Sequence, residues 1–323
     1  MDDRPDSNAR RSRGNRPAEA RMNGWIDFGL ARDFAAEKTD AYRLCTRADG
    51  WVERFGPDIL ISYKTEAACD NLQRELAQWS LLSDQRCERI FGRYLPKQNA
   101  ERDAPRLLSG DAGAPLQRTV LERGICYGLD FGAGYSAGLF LDQRENRQFV
   151  RRRAPRRLLN CFSYTCSFSV VAALAGAATL SIDLSRKSLE RGRDNFLLNK
   201  LATDGHRFLA DDVLRVLPRL ARKGELFDLI VLDPPTFSRS RTGKSWQIER
   251  DFENLLLTAL DLAERDSKIL LSTNCTSLDT RALEVMGRFC LKATRRAGEF
   301  HSTGRLPDFP PGAGARSLWM LLR

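Results

Sequence analysis

The chain has 323 residues, 42% of them apolar and 29% charged, which fits a soluble globular protein with a sizeable core and leaves room for two domains. A formal net charge of +10 and a pI near 9.4 suit a polyanionic partner such as nucleic acid, although a generally basic enzyme meets the same description. Eight cysteines (Cys45, Cys69, Cys87, Cys126, Cys161, Cys166, Cys275, Cys290) without a CxxC pair, beside only His206 and His301, point away from a metal site, and no secretory signal or bilayer-length apolar run is present, so a cytoplasmic, thiol-reduced protein is expected.

Residues 1–22, rich in Arg, Asp, Asn and Pro, hold almost no large apolar side chains and read as a disordered basic tail. Residues 23–137 alternate short apolar runs with turn residues: WVERFG and DILISY as strands, TEAACDNLQRELAQW as a helix, RIFGRYLP as a strand, and VLERGICYGLDF as two strands about an ERG turn. This is a small α+β, hairpin-bearing domain, with 97–114 read as a polar loop inside it.

Residues 138–323 form the second domain, and from about 157 strands alternate with helices. RRLLNCF is a buried strand, SFSVVAALAGA a helix closed by Gly176, ATLSID a strand and LSRKSLERGRDNFLLNKL an amphipathic helix. HRFLA, the helix DVLRVLPRLARKG, FDLIVLD, a polar loop, the helix DFENLLLTALDLAERD, KILLSTN and the helix DTRALEVMGRFCLKA follow. GEFHSTG and SLWMLLR have no helix between them and should pair antiparallel at one edge of a sheet that is otherwise parallel. The fold class is α/β, a Rossmann-like seven-stranded sheet with a smaller N-terminal α+β domain.

In such sheets ligands bind beyond the carboxyl ends of the strands. After the first parallel strand comes the small, hydroxylated Phe162-Ser163-Tyr164-Thr165, and after the second Asp183, placed to accept both ribose hydroxyls of a nucleoside cofactor or to cap the next helix. After the third comes Asp211-Asp212, able to accept from an adenine amine or to cap. There is no GxGxxG and no GxxxxGK[ST], which disfavours a dinucleotide enzyme and a P-loop ATPase.

After the fourth strand stands Asp233-Pro234-Pro235-Thr236-Phe237, a stiff turn whose carboxylate and carbonyls can accept from a planar, amino-bearing substrate. After the fifth stands Cys275, whose thiolate can add to C6 of a pyrimidine, or which is simply a small apolar residue at a strand end. Arg151, Arg152, Arg153, Arg156 and Arg157, with Arg239, Arg241 and Lys244, can contact RNA phosphates while Phe237 or Trp246 stacks on an extruded base; a solvated surface run is the plainer alternative.

At LDQRENR (141–147), FSYT (162–165), Asp183 with its following helix, and DPPTFS (233–238), the chain resembles the bacterial 23S ribosomal RNA large-subunit methyltransferases. That group contains cytosine-C5 enzymes and the guanine-N7 half of a bifunctional enzyme, and the resemblance covers roughly 40–323. It implies a class I methyltransferase with a 3-2-1-4-5 strand order and an S-adenosylmethionine (AdoMet) site built from the 160s loop, Asp183 and Asp212, with Asp142, Gln143 and Arg144 beside it. Cys275 falls where the cytosine-C5 members carry their nucleophile. Three departures stand out: Cys166 replaces the usual Gly after FSYT, the N-terminal RNA-binding module of the cytosine-C5 members does not precede the central domain, and DPPTFS is closer to the guanine-N7 members. The expected activity is therefore RNA base methylation, at cytosine C5 through Cys275 or at guanine N7 or an exocyclic amine. The same fold acting on a protein or small molecule, or retained as an inactive RNA-binding or assembly factor, is the competing expectation.

Overall fold

A computed structural model describes residues 22–83, 85–96, 102–239 and 245–323, so the expected tail lies outside it apart from Met22. The N-terminal unit begins with helix α1 (Phe28–Ala36), capped by the Asp27 carboxylate, which accepts from the Gly29 N–H. Strands β1 (Ala41–Arg47), β2 (Gly50–Phe55) and β3 (Asp58–Tyr63), helix α2 (Glu66–Ser83), and strands β4 (Arg89–Tyr94) and β5 (Arg106–Ser109) follow, and the five strands form one sheet in sequence order. Only β3 and β4 pair in parallel, as the intervening helix requires. A separate hairpin, β6 (Gln117–Glu122) and β7 (Ile125–Asp130), turns at Arg123 and Gly124, both left-handed, as the ERG signal predicts.

Three elements of this unit depart from the sequence reading. Strand β1 is buried on both faces over its first five residues, so it lacks the alternation that marks half-exposed strands. Helix α1 is only nine residues long and offers little periodicity. Part of the expected 97–114 loop is β5: its Leu108 methyls fill the space left by Gly92 of β4, and Leu107 packs against the core.

The C-terminal unit opens with a 3-10 turn (Leu141–Gln143) and helix α3 (Arg144–Arg153). Then come β8 (Arg157–Cys161), α4 (Ser167–Leu174), β9 (Ala178–Asp183), α5 (Arg186–Leu198), β10 (Arg207–Ala210), α6 (Val213–Arg222) and β11 (Phe227–Leu232). A short pair, β12 (Phe237–Arg239) and β13 (Ser245–Gln247), occupies part of the expected polar loop. Helix α7 (Ile248–Leu260), β14 (Ala263–Thr273), α8 (Thr280–Ala293), β15 (Gly298–His301) and β16 (Arg316–Leu322) complete the chain. Helix α7 ends earlier than its apolar pattern indicates, because Ala263–Ser267 extends β14 through an irregularity at the left-handed Asp266.

The seven strands run β10-β9-β8-β11-β14-β16-β15; the first five are parallel and the last two antiparallel, as read from sequence. Both faces are covered. Leu159, Cys161, Ile230 and Leu232 point into a core with α6, α7 and α8, while Leu158, Leu229 and Val231 point into a core with α4 and α5. Two-sided burial explains why these strands read as continuous apolar runs. The second core also takes in Ala41, Phe55, Leu60 and Phe91 of the N-terminal sheet, with Phe91 stacked on Phe131 at 4.2 Å.

Candidate active site

The carboxyl ends of β8, β9, β11 and β14 converge on a cavity of about 300 Å³, the size range of small-molecule sites. Its first wall is the loop after β8. Phe162, Tyr164 and Cys166 adopt φ of 57°, 47° and 61°, conformations that cost a non-glycine residue about 1–2 kcal/mol. Fixed hydrogen bonds hold them there. The Tyr164 N–H donates to Asp183 Oδ2 (2.8 Å), the Tyr164 hydroxyl to the Ser136 carbonyl (2.6 Å), the Thr165 hydroxyl to the Gly138 carbonyl (2.6 Å) and Asn195 Nδ2 to the Thr165 carbonyl (2.9 Å).

Cys166 stands at one of these left-handed positions, which is the physical reason a glycine suits it. Its thiol is buried away from the cavity and rests where Gly192 of α5 has no side chain: a Cβ there would lie 2.5 Å from Cys166 Sγ and 3.0 Å from its Cβ. Burial pushes the thiol up to about 12, so it stays neutral and inert. The loop thus accommodates cysteine without narrowing the site.

Asp183 faces the cavity from the end of β9. One oxygen accepts from Tyr164 and the other from the Ser185 N–H (2.8 Å), which leaves lone pairs on both for a vicinal diol. Burial raises its affinity for a proton. Asp211 and Asp212 stand at the same sheet edge but do not line the cavity. Asp212 caps α6, accepting from the Leu214 N–H (3.0 Å), and Asp211 pairs with Arg219 (3.4 Å).

The LDQR segment divides between site and scaffold. Asp142 lines the cavity and accepts from the Ala315 N–H (2.9 Å). Gln143 Nε2 donates to Asp233 (3.3 Å) and to the Ser272 hydroxyl (2.8 Å), and its own carbonyl accepts from Asn146 (2.7 Å). Arg144 points elsewhere, forming a bidentate pair with Asp308 (3.1 and 2.8 Å) under Phe34. Arg147, not singled out from sequence, lines the cavity one helical turn after Gln143 and is anchored by Glu122 (2.7 and 2.5 Å) and the Phe140 carbonyl (2.9 Å). Its i, i+4 spacing from Gln143 was the available signal. Asn160, Phe140 and Asn274 also line the cavity without having been expected.

Asp233, Pro234 and Pro235 line the cavity at the end of β11, separated from Asp183 by β8. Burial, with Asp142 nearby, pushes the Asp233 carboxyl up to about 6. The Pro235 carbonyl, expected to be open to a substrate, accepts from Trp246 Nε1 (2.8 Å), and Trp246 itself is buried against Phe162. In this conformation Trp246 therefore braces the turn and is not free to stack on a base. Thr236 is exposed. Phe237 and Arg239 are described by backbone alone, in β12, and Arg241 and Lys244 lie outside the described residues.

Cys275 follows the cavity-lining Asn274 but does not itself line the cavity. Its thiol lies 3.0 Å from the Ser277 hydroxyl and 3.7 Å from the Glu249 carboxylate, in the apolar cluster under α7. Arg151, Arg152 and Arg153 end α3 and suit its negative pole. Arg156 and Arg157 sit at the start of β8, the sheet edge opposite the cavity, paired with Glu264 (2.6 Å) and Glu225 (3.2 Å). Among the described residues there is no metal-ligating cluster and no helix long and apolar enough to cross a membrane.

A parallel sheet closed by an antiparallel pair, with one cavity across its strand ends, is the architecture of a class I methyltransferase. The family model of S-adenosylmethionine-dependent methyltransferases matches residues 69–321, and the chain belongs to that family: it is an enzyme that takes its methyl group from AdoMet.

The chain is related to bacterial ribosomal RNA large-subunit methyltransferases. It is 31% identical over 310 residues to the ribosomal RNA large subunit methyltransferase I of Aeromonas salmonicida (89% of this chain, 77% of that one). It is 35% identical over 202 residues to the protein of the same name from Tolumonas auensis (61% and 50%). YwbD of Bacillus subtilis is 38% identical over 161 residues, 49% of this chain and 40% of that one, so the match spans half or less of the last two relatives. Among solved structures, SMU.776 complexed with SAH superimposes with a TM-score of 0.79 at 23% identity (91% of this chain, 78% of that one). A SAM-dependent methyltransferase from Agrobacterium tumefaciens gives 0.69 at 19% (88% and 90%). These two likenesses speak for the fold.

Two outcomes test the geometry. Gly192→Ala should destabilise the protein by about 1–3 kcal/mol in urea unfolding, and Cys166→Gly in the same chain should restore most of the loss. Because the folded-state pKa of Asp233 is raised, its ionisation opposes folding as pH climbs from its unfolded value through about 6. Asp233→Asn should therefore raise stability at pH 8 and leave it unchanged near pH 3, measured by chemical denaturation at both.

Proposed function

We propose that the chain methylates a base of large-subunit ribosomal RNA, with cofactor and base meeting in the single cavity between Asp183 and Asp233. The observation that carries this reading is the shared space: a carboxylate suited to a ribose diol, at the end of β9, and the Asp233-Pro234-Pro235 turn, at the end of β11, both line one cavity on either side of β8. The names of the relatives and the net charge of +10 support RNA as the substrate. In this reading the donor is held by the 138–323 domain, against a smaller 23–137 domain that shares its core.

For the cofactor, Phe162, Ser163, Tyr164 and Thr165 wrap the donor, Asp183 takes the ribose hydroxyls, and Asp142 and Gln143 close the amino-acid end. Asp211, Asp212 and Arg144 act indirectly, by fixing α6 and α3. AdoMet supplies an electrophilic methyl on its sulfonium. For the acceptor, Pro234, Pro235, Thr236 and Phe237 frame the base, and Arg239, Arg241 and Lys244 take its flanking phosphates.

The chemistry we favour is methylation of cytosine C5. The Cys275 thiolate adds to C6 while Asp233, with its raised proton affinity, donates to N3, and C5 of the enamine so formed would take the methyl group as its bond to the sulfonium breaks and S-adenosylhomocysteine leaves. A base then removes the C5 proton, the C6–S bond breaks and N3 returns its proton. Glu249, 3.7 Å from the thiol, can take the thiol proton at the outset. A second reading rests on the same placement: Cys275 stands behind Asn274, outside the cavity wall, which favours direct transfer to a ring nitrogen or exocyclic amine oriented by Asp233.

Cys275→Ala should abolish methyl transfer while leaving AdoMet affinity intact, read by labelled-methyl incorporation into ribosomal RNA alongside calorimetry; full activity in that variant establishes the second reading. Asp183→Ala should weaken AdoMet binding by about 1.5–3 kcal/mol in calorimetry, the scale of hydrogen bonds to a charged group.

A further inference from the structure

The N-terminal sheet turns one face toward the C-terminal unit, and strand register divides that face in two. Phe55, Leu60 and Phe91 fill the shared core at one end. At the other, Trp51, Ser62 and Arg93 stand side by side on β2, β3 and β4. Arg93 is fixed there by the Ser62 hydroxyl, which accepts from Nε (3.0 Å) and Nη2 (2.8 Å), and by the buried Glu53 (3.4 Å), whose charge Arg43 also balances (2.9 Å); its guanidinium lies 5.9 Å from the Trp51 ring and 5.2 Å from that of Tyr135. The exposed Arg102 approaches the same tyrosine at 5.3 Å and has no ion-pair partner among the described residues.

This cluster adjoins the cavity. Tyr135 precedes Ser136, which lines the cavity mouth and receives the Tyr164 hydroxyl. Aromatic rings interleaved with arginines match single-stranded RNA: rings stack on bases whatever their identity, and guanidiniums meet phosphates. By contrast, the arginines Arg156 and Arg157 lie at the far edge of the large sheet, away from the cavity.

We propose that Trp51, Arg93, Arg102 and Tyr135 form the docking surface for the RNA strand flanking the methylated base. The proposal rests on the RNA reading above and adds which surface receives the strand.

The test is fluorescence anisotropy of the full chain with a labelled single-stranded RNA of about 15 nucleotides, a length within the range such surfaces cover, across a salt series. Arg102→Ala with Tyr135→Ala should weaken RNA binding about tenfold and flatten the logarithmic salt slope by about 0.7, with affinity for S-adenosylhomocysteine unchanged as the control for folding. Arg151→Ala with Arg152→Ala and Arg153→Ala should bind like the parent. If the parent binds RNA and the Arg102/Tyr135 variant matches it, while the Arg151/Arg152/Arg153 variant loses affinity, the surface is wrongly assigned and the RNA reading stands. If the parent itself binds no RNA, both are overturned.

Discussion

The site depends on a short loop held where its backbone does not prefer to be. Phe162, Tyr164 and Cys166 all sit in the left-handed region, and no glycine relieves them. What holds the loop is a set of contacts from separate parts of the chain: Asp183 from the next strand, the Ser136 and Gly138 carbonyls from the segment leaving the β6–β7 hairpin, and Asn195 from α5. Asn195 also accepts from the Gly128 N–H of β7 (2.7 Å), so hairpin, helix and loop are fixed together. Local strain at a ligand site, maintained by surroundings that over-determine it, is a recurring pattern.

That arrangement explains why the two units share a core. The hairpin and the N-terminal sheet contribute Tyr127, Phe131, Phe55 and Phe91 to the apolar cluster beneath α4 and α5, and Glu122 of the hairpin anchors Arg147 in the cavity wall. Asp308, near the C-terminal end, joins Arg144 to the Arg43 backbone N–H of β1 (3.0 Å), closing the structure from the other side. The cavity wall and the N-terminal sheet therefore share one packed core at this seam, and Tyr135 of the arginine–aromatic cluster adjoins Ser136 of the cavity lining.

Much of this was legible in the sequence. The βα alternation, the antiparallel pair at the end and the ERG turn follow from periodicity and turn chemistry, because two-sided burial and left-handed turns leave direct marks on residue choice. Asp183 and Asp233 could be found by the strand-end rule. Other features were not legible, for identifiable reasons. Whether Asp212 meets a ligand or caps α6 turns on the direction of one carboxylate, and its sequence context fits both. Arg144 and Arg147 are alike on paper, yet one faces Asp308 and the other the cavity, a choice fixed by partners more than 20 positions away. Cys166 stands at a position that favours glycine, and the room for its thiol comes from Gly192, a neighbour in space that sequence order does not reveal.

The claim on which the rest depends is that the donor lies along the strand ends, with its ribose at Asp183 and its sulfur toward Asp233. A crystal structure with S-adenosylhomocysteine measures this directly. The account predicts both ribose hydroxyls within hydrogen-bonding distance of the Asp183 carboxylate and the sulfur facing the Asp233-Pro234-Pro235 turn. Density for the ligand elsewhere, or in this cavity with Asp183 unengaged, would contradict it.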